Sequence, residues 1–498
     1  MKIIMKKWNK NIVKEYGKNM SKKYSRYQTP SLIKARKRLG EKVEFINYQM
    51  DDKYQTIGIN KTYCVKTYGC QGNLADSEKI SGLLEGMGYT AVTDEAKADV
   101  VLFNTCAIRE NAENRIFGEL GRFVKYKKNN PSMIIGICGC MMQEENTIEM
   151  IRKKYPHVNL IFGTHNINKL PEYLYEISIK NEDLIEVFSI EGNIYEDLPV
   201  KRDHPYKAWV NIMYGCDEFC TYCIVPYTRG KERSRLPEDI LKEVDGLIQA
   251  GYKEVTLLGQ NVNAYGKDFV DRQYSFSNLL SDLQKMPIER VRYTTSHPRD
   301  LDDETIEVMG RGGNIMPHLH LPVQSGNNNI LKRMNRKYTR EEYLTKIEKL
   351  KKAVPGISLT TDIIVAFPGE TVEEFQDTVS LVEAVKFEGA FTFIYSPREG
   401  TPAATYPNPL TETEKHDRLN ELNETINKYY LEGNLRFENQ IVKVLVEGKS
   451  KNNDNMYSGY SEHNKLVNFE GSDDLIGQIV NVKIVKAYSW HLLGELVK

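Results

Sequence analysis

The chain has 498 residues, enough for about three domains at roughly 150 residues each. Hydrophobic residues make up 40% and charged residues 27%, which excludes a wholly disordered chain. Mean hydropathy is −0.51, no apolar run approaches the roughly 20 residues that span a bilayer, and no apolar stretch follows the basic start. Membrane-spanning and secretory readings are thereby excluded, and the cytoplasm is the expected compartment.

Residues 1–60 hold 15 Lys and Arg against 5 Asp and Glu, while the remainder carries an excess of acid that brings the net charge to zero. A basic arm on a mildly acidic body points to nucleic acid, or to a solvated extension, and the arm is expected to be flexible. Met20 and Met50 leave open a later natural start. A strand is expected at Tyr63–Thr67, followed by a helix at about 74–87. Further strands are expected at 99–104, 133–138 and 158–162, with a helix reaching about Lys128. This alternation predicts an open parallel α/β sheet. Residues 176–203 are acidic and weakly periodic, and read as a linker with one strand. A second α/β series follows, with strands centred on Val210, Thr256, Arg292, Leu319, Thr361 and Phe393 and helices such as 237–250 and 340–353. Six such units fit a partial (β/α)6 barrel. A helix at 411–430 closes it. The tail has strand-like stretches at 441–446, 465–469 and 479–485 separated by glycines, which predicts a small β-barrel of the OB type.

Eight cysteines carry the chemical signal: Cys64, Cys70, Cys106, Cys138, Cys140, Cys216, Cys220 and Cys223. A cytosolic chain of this size needs no disulfides for its core, so clustered cysteines point to metal or redox chemistry. Cys70, Cys106 and Cys140 each lie just past the carboxyl end of a predicted strand, the edge where open α/β sheets bind ligands. They are either a convergent thiol site or three small buried residues. Cys64 and Cys138 fall inside strands and are expected to be buried.

Cys216-Asp-Glu-Phe-Cys220-Thr-Tyr-Cys223 follows the first strand of the second series. Three thiolates on one tight loop suit three corners of a cubane iron–sulfur cluster. Most such clusters have four cysteines. A missing fourth leaves one iron open, as binding and reductive cleavage of S-adenosylmethionine (SAM) require. Structural zinc is the alternative, with His204 or His297 arriving as a fourth ligand.

This loop, with Tyr222 before its last cysteine, resembles the signature of the radical SAM enzymes. Thr67–Asn73, Asn104–Glu110, Gly139–Gln143, Tyr214–Arg235, Gly259–Gly266, His320–Gly326, Thr361–Thr371 and Tyr395–Ala403 together resemble the methylthiotransferase branch, over about residues 61–498. Asn104-Thr-Cys-Ala-Ile-Arg-Glu110 is most similar to the members acting on dimethylallyladenosine in tRNA.

The resemblance implies an α/β protein in four parts. These are a basic extension (1–60), a methylthiotransferase N-terminal α/β domain (61–180), a radical SAM core (202–432) and a TRAM RNA-binding β-barrel (435–498). It implies two 4Fe–4S clusters. Cys216, Cys220 and Cys223 would be the catalytic set, binding the radical-generating cluster and SAM with Tyr222. Cys70, Cys106 and Cys140 would hold the auxiliary cluster. The implied reaction adds a methylthio group at C2 of N6-(dimethylallyl)adenosine next to the anticodon, with a second SAM as methyl donor. Expected partners are the tRNA anticodon loop and an electron donor such as flavodoxin or ferredoxin, with the protein itself a monomer and no membrane involved. Related enzymes act on threonylcarbamoyladenosine or on a ribosomal-protein aspartate. A non-catalytic iron–sulfur RNA-binding protein is the alternative of another class.

Arg229, Lys231, Arg233 and Arg235 are candidates for holding RNA phosphates, with Arg235 also a candidate for placing SAM. The 259–266 and 361–371 stretches are candidates for lining the cofactor site. Gly72, Met142 and Ala366 depart from the family pattern, where Met, Ala and Gly respectively are common, and the Ala366 methyl is expected to tighten the cofactor pocket.

Overall fold

The computed structural model describes residues 24–27, 43–107, 110–180, 182–187, 193–451 and 453–497. They fall into two compact units. One comprises the described residues up to Asp203 together with Tyr214–Asp217 and Cys223–Arg233; the other holds His204–Met213, Glu218–Tyr222 and the chain from Ser234 on.

The first unit contains strands β1 (Tyr24–Tyr27), β2 (Phe45–Asn47), β3 (Thr62–Tyr68), β4 (Thr90–Ala91), β5 (Val100–Thr105), β6 (Ile134–Gly139), β7 (Leu160–Phe162), β8 (Leu184–Val187) and β9 (Ile194–Glu196). Seven form one parallel sheet in the order β1-β8-β7-β6-β5-β3-β4. Every residue of β5 is buried, as a central parallel strand covered on both faces requires. Helices Gln71–Gly86 and Leu170–Lys180 cover one face through Ile80, Leu83, Leu170 and Leu174. Helices Glu110–Asn129 and Glu145–Lys154 cover the other through Leu120, Phe123, Ile148 and Ile151.

Several expectations change here. The stretch read as a linker from 176 instead continues a helix to Lys180 and supplies two strands: β8 enters the main sheet and β9 pairs with β2. Its acidic composition conceals them, because β8 and β9 are only four and three residues long. Within the expected flexible arm, residues 1–23 and 28–42 lie outside the described residues. Residues 24–27 and 45–47 are strands paired to β8 and β9. Cys138 is buried, whereas Cys64 is only half-buried.

The second unit contains β10 (Lys207–Asn211), and the two-residue strands β11 (Met213–Tyr214) and β12 (Arg233–Ser234) flank the cysteine loop. Then follow β13 (Glu254–Leu258), β14 (Arg290–Thr294), β15 (His318–His320), β16 (Ser358–Val365) and β17 (Gly389–Ile394). β10-β13-β14 and β15-β16-β17 are parallel, the six strands expected of the partial barrel. Helices including Pro237–Gln249, Arg340–Ala353, Val372–Val385 and Glu412–Leu435 pack outside them around one large apolar core.

The tail is a closed barrel, β18-β19-β20-β22-β21. Its strands are β18 (Ile441–Ser450), β19 (Asn453–Ser461), β20 (Leu466–Glu470), β21 (Ile479–Ala487) and β22 (Leu492–Leu496). It has two more strands than the pattern predicts: β19 is almost wholly polar, and β22 is short and interrupted by Gly494.

Two arginines of β14 set the barrel's place on the core. Arg290 is 1% exposed and donates to the Tyr460 and Lys443 carbonyls, each at 2.8 Å. Arg292 donates to the Ser461 carbonyl at 2.7 Å and to the Glu254 carboxylate at 3.0 Å. Buried cations are tolerated when each N–H finds an acceptor and a carboxylate balances the charge.

Ala366, just after β16, has φ of +56° and is fully buried. Its departure from the common glycine therefore costs about 1–2 kcal/mol of backbone strain as well as space. The Glu370 carboxylate accepts its N–H at 2.7 Å and Asn408 donates to its carbonyl at 3.1 Å, which holds the turn.

The site-bearing ends of the first sheet are fixed by register. Tyr68 pairs with Thr105, and Thr105 with Gly139, so β3, β5 and β6 finish level. Gly139 has φ of +97°, and a Cβ there would overlap the Thr105 carbonyl oxygen and the Asn104 side chain. Gly72 lies in a helix, and a Cβ there meets nothing nearer than 3.5 Å. Gly139→Ala is therefore expected to lower unfolding stability by about 2–4 kcal/mol, and Gly72→Ala to leave it unchanged or raised by up to about 1 kcal/mol, read by urea titration. Arg290→Ala should cost about 2–5 kcal/mol in the same measurement, because two buried carbonyls lose their donor. Wild-type stability in that variant would show that the barrel is held by other contacts.

Candidate functional site

Cys70, Cys106 and Cys140 follow directly on the level ends of β3, β5 and β6. The chain leaves β3 toward β4 and leaves β5 toward β6, so this edge is the switch point of the sheet, where a crevice opens. Cys70 caps the helix Gln71–Gly86, and its N–H donates to Asn73 Oδ1 at 3.3 Å. Behind the thiols, two buried asparagines clamp the strand ends together. Asn73 Nδ2 donates to Asn104 Oδ1 at 3.0 Å and to the Thr105 carbonyl at 3.2 Å. Asn104 Nδ2 donates to the Asn73 carbonyl at 2.8 Å and to Ser77 Oγ at 2.9 Å.

The three thiols are brought together. A hydrogen bond from Cys106, aided by the Arg229 charge and backbone N–H groups, holds the Cys70 thiol well below its usual range even though burial opposes this. Burial pushes the Cys140 thiol up, and Arg229 pulls it back. Cys70 thus lies within reach of both Cys106 and Cys140.

Arg229 is 8% exposed. Its Nε donates to Cys140 Sγ at 3.2 Å and its Nη2 to Asp76 Oδ2 at 2.7 Å. Both groups line a cavity with Lys79, His165, Tyr214 and Arg233, in which burial pushes His165 down to about 3 and keeps it neutral. The expectation that the arginines after the cysteine loop grip phosphate is corrected here. Arg233 is buried and donates to the Arg229 carbonyl at 3.1 Å. Arg235 is buried and pairs with Glu243 at 2.7 Å. Lys231 is half-buried.

The C-x3-C-x2-C loop is pinned residue by residue. Gly215, at φ of +73°, passes so close to the Lys231 carbonyl that a Cβ would overlap it. The Cys216 N–H then donates to the Gly230 carbonyl at 3.1 Å. Asp217 and Glu232 exchange backbone-to-carboxylate hydrogen bonds at 3.0 and 3.3 Å. In the second unit, Glu218–Tyr222 is laced to residues 333–336. Asn335 Nδ2 donates to the Phe219 carbonyl at 2.9 Å, and the Thr221 N–H donates to the Met334 carbonyl at 2.9 Å. Arg336 Nη1 donates to Cys220 Sγ at 3.4 Å, so a second thiol also has a buried guanidinium against it. The Tyr222 ring packs edge-on against Phe367 at 6.5 Å. Cys216 and Cys220 are buried and Cys223 is half-buried.

Beside this segment lies a set of buried polar groups that sequence reasoning missed. Glu218 Oε2, Asn261 Oδ1, Asn263 Nδ2, Ser296 Oγ and His297 Nε2 have no hydrogen-bond partner among the described residues. All but Ser296 belong to one network. Asn263 accepts the His297 N–H at 3.1 Å, Asn261 donates to Asp300 at 2.6 Å, and Arg299 pairs with both Asp300 and Glu218. Each unmet buried polar atom costs about 1–3 kcal/mol, so five together point to a polar ligand. Asn261 and Asn263 lie in the 259–266 stretch flagged in the sequence. Arg229, Asp76, Glu218 and Arg336 carried no local signal, since their partners come from distant segments.

Zinc does not fit. His204 Nδ1 accepts the Tyr206 N–H at 3.2 Å, and His297 faces Glu218 and Asp300. Among the described residues no three His, Cys, Asp or Glu side chains are grouped to hold a single metal ion.

Comparison with known proteins agrees with this chemistry. Residues 210–382 match the Radical SAM superfamily, 62–163 the uncharacterized protein family UPF0004, and 435–497 the TRAM domain. The fold resembles a radical S-adenosylmethionine methyltransferase, TsrM, from Kitasatospora setae, solved with cobalamin and a [4Fe-4S] cluster. There the TM-score is 0.52 at 12% identity, covering 69% of this chain and 74% of that one. The chain is 54% identical over 472 residues to the tRNA-2-methylthio-N(6)-dimethylallyladenosine synthase of Bacillus licheniformis, covering 95% of this chain and 93% of that one. It is 53% identical over 472 residues to the synthase of the same name from Bacillus subtilis, at the same coverage. At that identity and coverage, the chain belongs to the tRNA-2-methylthio-N(6)-dimethylallyladenosine synthase family of radical SAM enzymes.

Proposed function

We propose that this enzyme methylthiolates C2 of N6-(dimethylallyl)adenosine next to the anticodon of tRNA, using two 4Fe–4S clusters and two SAM molecules. The observation that carries the reading is the convergence of Cys70, Cys106 and Cys140 beside Arg229 in a chain that also bears the C-x3-C-x2-C loop. Cys216, Cys220 and Cys223 hold the radical-generating cluster, with Tyr222 packed beside it. Cys70, Cys106 and Cys140 hold the auxiliary cluster. The residues fit both groups. Each set offers three thiols, and the orphaned atoms of Glu218, Asn261, Asn263, Ser296 and His297 suit the amino, carboxylate and hydroxyl groups of SAM. When bound, the clusters and SAM supply the one-electron chemistry and the sulfur and methyl groups that an unreactive aromatic C–H bond demands.

The protein's own residues position and shield. Asn335 and the backbone of 333–334 fix the loop around Cys220, which keeps its thiol aimed against Arg336. The Asn73–Asn104 clamp fixes Cys70 relative to Cys106. Burial of Cys106, Cys140, Cys216 and Cys220 excludes water from reactive species. The substrate base leaves its stack to reach such a site, a low cost in an anticodon loop. The barrel from 435 on binds the tRNA. The electron donor is flavodoxin or ferredoxin, and the enzyme acts as a monomer.

Cys216→Ala should abolish 5′-deoxyadenosine formation from SAM under anaerobic reduction. Cys106→Ala should retain that cleavage and lose the methylthiolated nucleoside. Nucleoside mass spectrometry of tRNA from cells lacking the gene, with and without its restoration, reads the product directly. Unchanged methylthio-dimethylallyladenosine in the deletion would reject the substrate assignment.

A further inference from the structure

The Arg229–Asp76 pair is separate from the Asn73–Asn104 clamp that ties the strand ends together. It is expensive to bury, and it points at one thiol. Arg229 Nε donates to Cys140 Sγ at 3.2 Å while its Nη2 is held by Asp76 Oδ2 at 2.7 Å. The Arg229 side chain is 10% exposed and that of Asp76 7%. The residue is held at its main chain and at its side chain. Its backbone N–H closes the short helix Val225–Thr228 through the Val225 carbonyl at 2.9 Å. Its carbonyl accepts from Arg233 at 3.1 Å. Its fork is spanned by the carboxylate on one side and the sulfur on the other.

We infer that Arg229 is a positioning residue that sets the reduction potential of the cluster carried by Cys140, and that Asp76 trims its effect. This rests on the reading of Cys70, Cys106 and Cys140 as cluster ligands. The argument is electrostatic. Reduction moves one electron from an external one-electron donor onto the iron core, with no bond broken and no proton taken up. The core and its thiolates then carry one more negative charge. A cation in hydrogen-bond contact with a ligating sulfur stabilises that more negative state, and an N–H···S bond strengthens as electron density on sulfur rises. Arg229 therefore raises the potential. Asp76 puts a carboxylate against Nη2 of the same guanidinium and cancels part of its charge, so it lowers the potential. Lysine cannot replace the arginine fully, since a single ammonium does not reach both the sulfur and the carboxylate in one fixed plane.

The two residues thus predict shifts of opposite sign, which a merely structural pair would not produce. The test uses the full-length protein with Cys216→Ala, Cys220→Ala and Cys223→Ala, so that only the auxiliary cluster is present, reconstituted and titrated with dithionite under EPR detection. Arg229→Gln should move the midpoint to lower potential, Asp76→Asn to higher potential, and Arg229→Lys should fall between wild type and Arg229→Gln. Shifts of one sign in all three variants, or an unmoved midpoint in Arg229→Gln at full iron content, would overturn the inference. Loss of iron in Arg229→Gln and Arg229→Lys alike, with a native circular dichroism spectrum, would make Arg229 a holder of the cluster and also overturn it. Iron content of a further Cys106→Ala variant tests the underlying ligand reading separately. Full iron there rejects the ligand set, whatever the potentials of the arginine variants.

Discussion

The level ending of β3, β5 and β6 is the constraint on which the first unit's chemistry depends. Three strands must stop at one height for three thiols to meet, and parallel register alone allows slippage. Gly139 removes that freedom: with no Cβ, its backbone lies against the Thr105 carbonyl and the Asn104 side chain, a contact open to no other residue. Asn73 and Asn104 then cross-link the same ends through four hydrogen bonds. The cysteines are thereby positioned by backbone packing and amide bonds, neither of which depends on the thiols themselves.

Two of the buried cysteines, one from each set, have the same residue type against them. Arg229 stands against Cys140 and Arg336 against Cys220, at 3.2 and 3.4 Å. Arginine keeps its charge in a buried site and spreads it over a planar fork, which lets one group serve a sulfur and an oxygen at once. Arg336 shows this again, since its Nη2 donates to the Pro322 carbonyl at 3.0 Å and its Nε to Tyr338 at 3.0 Å. Lysine, with a single strongly hydrated ammonium, would pay more desolvation for fewer contacts.

Much of this was legible in the sequence where physics acts locally. β5 and β6 read as strands because both faces are buried, giving unbroken apolar runs. The helix Arg340–Ala353 was bounded correctly because Thr339 and Glu342 form a capping box. The cysteine loop was visible because its spacing is short. What escaped depends on distant segments. β8 and β9 are stabilised by pairing with neighbours rather than by their own composition. β19 is polar because its outward face meets solvent, with Tyr457 among its inward residues. The basic run after the cysteine loop read as a phosphate grip because exposure is invisible in one dimension, and its arginines instead turn inward to Asp76 and Glu243. Ala366 was read as a matter of space, whereas its left-handed backbone is the larger effect.

That inward turn changes where an RNA would be held. Phosphate contacts draw their strength from releasing counterions, which requires cations exposed to solvent. Arg229, Arg233 and Arg235 are unavailable for it. Arg290 and Arg292 are likewise spent on barrel carbonyls and Glu254. On the C-terminal barrel, by contrast, Lys443, Lys449, Lys483 and Lys486 are exposed, and Ile441 beside Lys443 pairs across the sheet with Lys483. Tyr488 and Trp490 are exposed just beyond β21, 37% and 70% respectively, and Lys486 lies over the Tyr488 ring at 5.1 Å. These lysines on adjacent strands are the solvent-exposed cations of this barrel, while the Tyr488 ring stacks on His491 at 4.6 Å and Trp490 packs edge-on against Tyr430 at 4.8 Å. Arg290 and Arg292 thus fix this barrel to the core by its carbonyls, and Lys465 adds a buried pair with Glu388 at 2.8 Å, while Lys443, Lys449, Lys483 and Lys486 stay on the outside, where cations can exchange counterions for phosphate.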